Sequence, residues 1–201
     1  REQIAGDMLP AKTDDVWQEH LIATGFLAMG TKGLNERNPR QFQMDLVDEQ
    51  IDIMSQAVLG LTVSCARCHD HKNDPIPMTD YYALAGIFLG TKTNYGTIRS
   101  AQNRRVANLI ELPLADPMQA KNRLSPTDIQ RLKDQHRQLI MTRRTARNNE
   151  KTSQSQLANI RRRIAETEAT LAALNENGIP ATQAMGVLET KNPIEANALV
   201  R

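Results

Sequence analysis

The sequence predicts a mainly α fold: an irregular helical module, a long antiparallel helical hairpin and a few short strands. Apolar residues recur at three- and four-residue steps through much of the first 60 residues, the spacing of one helix face. Two long polar segments further on carry narrow apolar stripes of the same period. Stretches that read as strands are short, and aromatic residues are only 3% of the 201, so aliphatic side chains must supply most of the core.

Residues 1–62 read as helical. Asp14 and Asp15 precede Val16, Trp17, Leu21, Ile22 and Leu27, a cap followed by an apolar stripe. Thr31 to Arg40 is rich in Gly, Asn and Pro and reads as a loop. Met44, Val47, Ile51, Met54, Val58 and Leu59 then mark an amphipathic helix, with Asp45, Asp48, Glu49 and Asp52 around its other side. Residues 63–78 end in Pro75-Ile76-Pro77, which forbids a helix there. Thr79-Asp80 is the expected cap of a further helix through Tyr82, Leu84, Ile87 and Phe88. Residues 90–120 read as irregular, with one short strand at Asn108–Leu112.

Ser125-Pro126-Thr127-Asp128 is a helix start: a Ser cap, Pro at the first position and an acid in the first turn. Helices over about 125–148 and 153–175 follow, with Ile129, Leu132, Leu139 and Ala146 facing Leu157, Ile160, Ile164, Leu171 and Leu174 as in a short coiled coil. Asn177-Gly178-Ile179-Pro180 stops the second helix. Residues 183–188 and 197–201 read as short strands. The organisation expected is a helical module over 1–120, a basic hairpin over 121–178, and a segment over 179–201 that returns to the module or leads into a following domain.

The net charge of +2 argues no partner, but its distribution is uneven. Residues 1–60 hold five basic against ten acidic residues, and residues 121–163 hold twelve against three. The plain reading of the basic stretch is a solvated helical face; an acidic partner is the functional one, with nucleic acid the less favoured. No run of 18 apolar residues is present, so no membrane span is expected. The chain begins Arg1-Glu2-Gln3 and ends Val200-Arg201, and reads as a piece of a longer or processed polypeptide.

Both cysteines lie in Cys65-Ala66-Arg67-Cys68-His69. C-x-x-C-H is the attachment signature of c-type haem. Two thiols one turn apart can add to the two vinyl groups of one porphyrin edge, and the adjacent His69 can then ligate the iron. Three other readings compete. Cys65, Cys68 and His71 could join a zinc site, the thiols could be a redox pair, or both could be small buried residues.

The stretch Leu59-Gly60-Leu61-Thr62-Val63-Ser64-Cys65-Ala66-Arg67-Cys68-His69-Asp70-His71-Lys72-Asn73-Asp74-Pro75-Ile76-Pro77 closely resembles the planctomycete-type cytochrome c domain proteins, large proteins with a central region of unknown function. Arg1–Asp7, Ala23–Leu27, Asp45–Asp52, Asp80–Phe88, Gly96–Ser100 and Ala184–Val187 also resemble that family. The likeness runs through about 1–112 and again through 181–201, and is looser over the hairpin. It implies one covalent haem c in an exported, periplasmic module of a multidomain protein, with a redox partner protein or other domains of the parent chain as partners. It implies no known reaction.

The sixth iron position has two candidates. Met78 follows a Pro turn, as in His/Met cytochromes. His71 is only two residues past His69, and reads better as a residue that structures its loop or bonds a haem propionate. Arg67, Lys72 and Tyr81 are expected in the haem surroundings. Asp45, Asp48 and Asp52 share a helix face that could be solvated, could pair with Arg67 or Lys72, or could bind a cation. Met29, Met44, Met54 and His20 lie on helical stripes, where core packing is the ordinary role of Met; His136 is expected to be exposed. The leading function is electron transfer. The rivals are a haem enzyme with an open sixth site acting on a small ligand such as peroxide, and a structural zinc-binding or partner-docking module.

Overall fold

Local capping chemistry starts most of the helices. A computed structural model of the chain describes residues 1–98, 103–113, 121–149 and 152–190, and it is mainly α. A single turn, α1 (Glu2–Ala5), precedes α2 (Asp14–Ala23). The cap of α2 is Thr13, whose hydroxyl accepts from Val16 N; Asp14 and Asp15 instead fill the first turn, where carboxylates oppose the helix dipole. Tight turns over Thr24–Ala28 extend α2 and bury Thr24, Leu27 and Ala28.

The third helix, α3 (Pro39–Met54), begins inside the stretch expected to be loop through Arg40. Asn38 caps it, its side-chain oxygen accepting from Arg40 N and Gln41 N, and Pro39 takes the first position, where a missing N–H costs nothing. Phe42, Leu46, Val47, Gln50 and Ile51 form its buried face. A wider π turn over Ser55–Leu59 follows, and Gly60 ends it in the left-handed conformation at φ 68°.

Helix α4 (Met78–Phe88) starts one residue before the expected Thr79-Asp80 cap. The carboxylate that meets its first N–H comes from outside the helix, as Met78 N donates to Asp70 Oδ1 at 2.8 Å. After α4 the chain forms β1 (Thr91–Asn94) within a stretch expected to be irregular, then β2 (Ile110–Glu111) inside the expected 108–112 strand.

The hairpin is α5 (Pro126–Arg147) and α6 (Gln154–Ala172). Ser125 caps α5 through Asp128 N, and Ser153 with Gln156 makes a reciprocal capping box on α6. Leu139, Ile164 and Ala165 form the buried seam. The expectation of an exposed His136 is corrected: its side chain is largely covered and its Nε2 lies 3.0 Å from Glu168 Oε1 across the hairpin. Leu124 N donates to Gly178 O, closing the hairpin at its base.

Residues 183–188, read as one strand, are two: β3 (Gln183–Ala184) and β4 (Gly186–Glu189). They pair antiparallel with different partners, β3 with β2 and β4 with β1. Thr24 Oγ1 accepts from Val187 N at 3.0 Å, so the returning segment is also tied to the end of α2. The reading of 197–201 as a strand lies outside the described residues.

The main core joins Leu27, Val47, Ile51, Tyr81, Phe88 and Val187, with Val63 and Ala66 from the motif segment. Met44 and Met54 pack against it, but Met29 is exposed, because the turns after Thr24 carry it past the core face. His20 is buried, with its Nδ1 unpartnered among the described residues. No helix of the described residues is long and apolar enough to cross a membrane.

Candidate functional site

The Cys/His segment folds as a tight 3₁₀ turn over Val63–Arg67, continuing to Cys68. In a 3₁₀ helix, side chains three residues apart lie in one row. Val63 and Ala66 make the buried row and plug into the main core. Cys65 and Cys68 make a second row, and both thiols are exposed and unpaired. Ser64 and Arg67 make the third. Thus the apolar i,i+3 pair decides which way the thiols face.

Arg67 anchors the turn to α3. Its Nη1 donates to Asp48 Oδ2 and its Nη2 to Asp45 Oδ1, both at 3.2 Å. Of the readings of the Asp45/Asp48/Asp52 face, pairing with Arg67 is therefore the one realised for Asp45 and Asp48. Burial works to lower the Arg67 pKa, but Asp48 and Asp45 outweigh it and the net shift is upward. Tyr81 lies wholly in the core and donates its hydroxyl to Asp48 Oδ1 at 2.7 Å. Burial first, then the hydrogen bond to and charge of Asp48, push the Tyr81 hydroxyl far above its ordinary value. Tyr82, edge-on to Tyr81, donates to the Arg67 carbonyl at 3.1 Å. The residue between the two cysteines is thus held by its side chain and by its backbone.

The two motif histidines adopt opposite roles. His69 is exposed, and its Nδ1 lies 2.8 Å from the Asp70 carbonyl oxygen. A carbonyl only accepts, so Nδ1 carries the hydrogen and the neutral ring keeps its lone pair on Nε2. His71 is turned inward. Its Nδ1 receives Asp74 N at 2.9 Å and Asn73 N at 3.3 Å, leaving Nε2 to donate to Thr62 Oγ1 at 3.3 Å. Asp74 Oδ2 also lies 3.2 Å from that Nδ1, a contact that attracts only when the ring is protonated. His71 N donates to Ile76 O, so His71 organises the loop with both ring nitrogens and its backbone.

Met78 heads α4 and is half-buried, and Lys72 is exposed. Among the described residues no three His, Cys, Asp or Glu side chains converge as a metal-holding group. Cys65, Cys68 and His71 are not gathered into such a group in this structure.

The donor set present suits a covalent haem. Two exposed thiols share one row, and the next residue offers an outward nitrogen lone pair oriented by a backbone carbonyl, the arrangement that fixes metal-ligating histidines. Val58 and Leu59, 58% and 56% exposed, lie just before the turn and add apolar surface. The Ser64 hydroxyl is buried without a partner among the described residues. Sequence reasoning misses two contributors. One is Asp70, which orients His69 with its carbonyl and caps α4 with its carboxylate. The other is the Val63/Ala66 row, legible in principle as an apolar pair at the 3₁₀ spacing.

Residues 1–93 match the family model PSCyt2, a planctomycete-type domain described as a protein of unknown function (DUF1549). The match takes in α1 to α4, the Cys/His turn and most of β1, and it ends before the hairpin. No curated protein and no solved structure matches the chain.

Proposed function

We propose that this chain is a c-type cytochrome module that carries electrons within a larger exported protein. One haem c would be held by thioethers from Cys65 and Cys68, each thiol adding across a vinyl group, with His69 Nε2 on the iron. The observation that carries the reading is the His69 Nδ1 contact with the Asp70 carbonyl, which aims a free nitrogen lone pair outward beside two exposed thiols. Bound there, the haem would supply a one-electron couple.

The protein's own residues hold the attachment site rigid. Arg67, clamped by Asp45 and Asp48, keeps the cysteine row from rotating, and Tyr82 fixes the intervening carbonyl. Asp70 ties His69 to the start of α4. Of the two candidates for the sixth position, the hydrogen bonds of His71 favour Met78, because an iron bond to His71 would break the loop it organises.

Expression with an export signal in a bacterium that matures c-type cytochromes tests the reading. The expected product has a haem absorbance that stays with the denatured polypeptide and is lost in C65A/C68A. A colourless product, or one carrying stoichiometric zinc, overturns it. Met78→Ala is expected to open the reduced protein to carbon monoxide. Rapid carbon monoxide binding by the unaltered protein would instead favour the open-site haem enzyme.

A further inference from the structure

The hairpin ends in a cleft of about 620 Å³ between the last turns of α5 and the first turns of α6. Its walls are Arg143, Arg144 and Arg147 from α5 and Arg161 from α6, and Ile140 and Leu157 also line it. Nearer the base, three arginines have an acidic neighbour, Arg131 with Asp128, Arg137 with Asp134 and Arg162 with Glu166, while Arg123 and Arg163 have no ion pair among the described residues but do not line the cleft. Among the described residues no ion pair reaches the four cleft arginines. Between Asp134 and Glu166 the sequence has one acidic residue, Glu150, which lies outside the described residues.

A solvated helix end explains only part of this. Arg144 and Arg147 occupy the last turn of α5, where cations offset the helix dipole. Arg143 and Arg161 have no such reason. Arg143 and Arg147 stand at i,i+4, where like charges repel and destabilise the helix. Four guanidiniums around one concavity with apolar side chains in its lining concentrate positive potential into a small volume. Guanidinium forks match tetrahedral oxyanions in geometry, and only a compact, multiply charged anion offsets four of them at once.

We propose that the hairpin tip binds closely spaced phosphate groups, carried either by a soluble polyphosphate or by a diphosphorylated lipid headgroup. The site is lined by hairpin residues alone and shares none with the Cys/His turn.

Calorimetric titration of the full chain with tripolyphosphate, and flotation with phosphatidylcholine vesicles with and without cardiolipin, tests the site. Expected is tripolyphosphate or cardiolipin-dependent binding that weakens with salt and falls about tenfold or more in R143Q/R147Q. It should change less than about twofold in R131Q/R137Q, which removes the same charge outside the cleft. The single variant R161Q checks the α6 wall. Tripolyphosphate binding assigns a soluble ligand, and cardiolipin binding without it assigns a headgroup. Binding of neither, or equal loss in R143Q/R147Q and R131Q/R137Q, overturns the proposal. Thermal unfolding without ligand must leave R143Q/R147Q at least as stable as the parent; a lower Tm would assign these arginines to folding instead.

Discussion

The motif-bearing body and the hairpin use charge in opposite ways. In the body, Arg67 reaches back to Asp45 and Asp48, and Tyr81 reaches Asp48, so each polar bond joins elements far apart in sequence. In the hairpin, Arg131–Asp128, Arg137–Asp134 and Arg162–Glu166 are neighbours on one helix. The body's network is half-buried and specifies where the Cys/His turn sits. The hairpin's arginine pairs are exposed and worth little each, and its one cross-helix polar contact described, His136 with Glu168, is short-reaching, so its shape rests mainly on helix propensity and a narrow seam. Rigidity is thus invested around the thiols, while the arm presents a charged surface. The family match follows the same division, covering 1–93 and stopping short of the arm.

Separate unfolding of the two regions would break or sharpen this contrast most visibly. Ile51→Ala empties a fully buried position in the main core and should cost about 2–5 kcal/mol. Trp17, the one tryptophan, packs in the body and reports it by fluorescence during denaturant unfolding. Leu139→Ala should instead melt the hairpin in far-UV circular dichroism with the Trp17 transition unmoved. A common shift in both signals would show that the regions fold as one.

Arg67→Ala leaves two carboxylates facing each other and is expected to cost about 1–3 kcal/mol. Arg67→Lys should recover only part, since one ammonium cannot fork to both. Equal stability of Arg67→Ala and the parent would reduce the network to a surface pair.

Tyr81→Phe should cost about 1 kcal/mol at neutral pH by removing the bond to Asp48. The hydroxyl's pKa is raised in the fold, so its contribution is present below the ordinary value of 10.0 and is lost as pH rises above it. Stability curves of the parent and Tyr81→Phe should therefore converge in alkali; parallel curves would contradict the raised pKa.

The smallest effect is expected at Glu49. Burial raises its carboxyl above 4.5, and the ion pair with Lys32 only partly counters this. Its contribution is present below 4.5 and lost as pH rises, so the parent should lose stability relative to Glu49→Gln between acid and neutral pH. Guanidinium denaturation at several pH values measures the difference.

Much of the hairpin was legible from residues alone. Ser125-Pro126 and the apolar period of α5 and α6 describe it within a few residues, because caps and i,i+4 contacts are local. The start of α4 was misplaced because its capping carboxylate, Asp70, sits eight residues upstream across a turn. β1 was missed because Thr91–Asn94 has no apolar alternation, and its pairing with β4 closes across nearly a hundred residues. The covering of His136 is not legible locally, because Glu168 comes from the facing helix.

The sequence by itself determined the mainly α architecture, the hairpin, and the two thiols and histidine set at haem-attachment spacing. Those features depend on helix period, capping and residue spacing, all of which act over a few residues. Only the tertiary structure decided which way the motif faces. Val63 and Ala66 bury their row, Arg67 is captured by α3, His69 is set by the Asp70 carbonyl and His71 is drawn into the loop. Burial and long-range hydrogen bonds make those choices, and they require partners that the chain brings together only on folding.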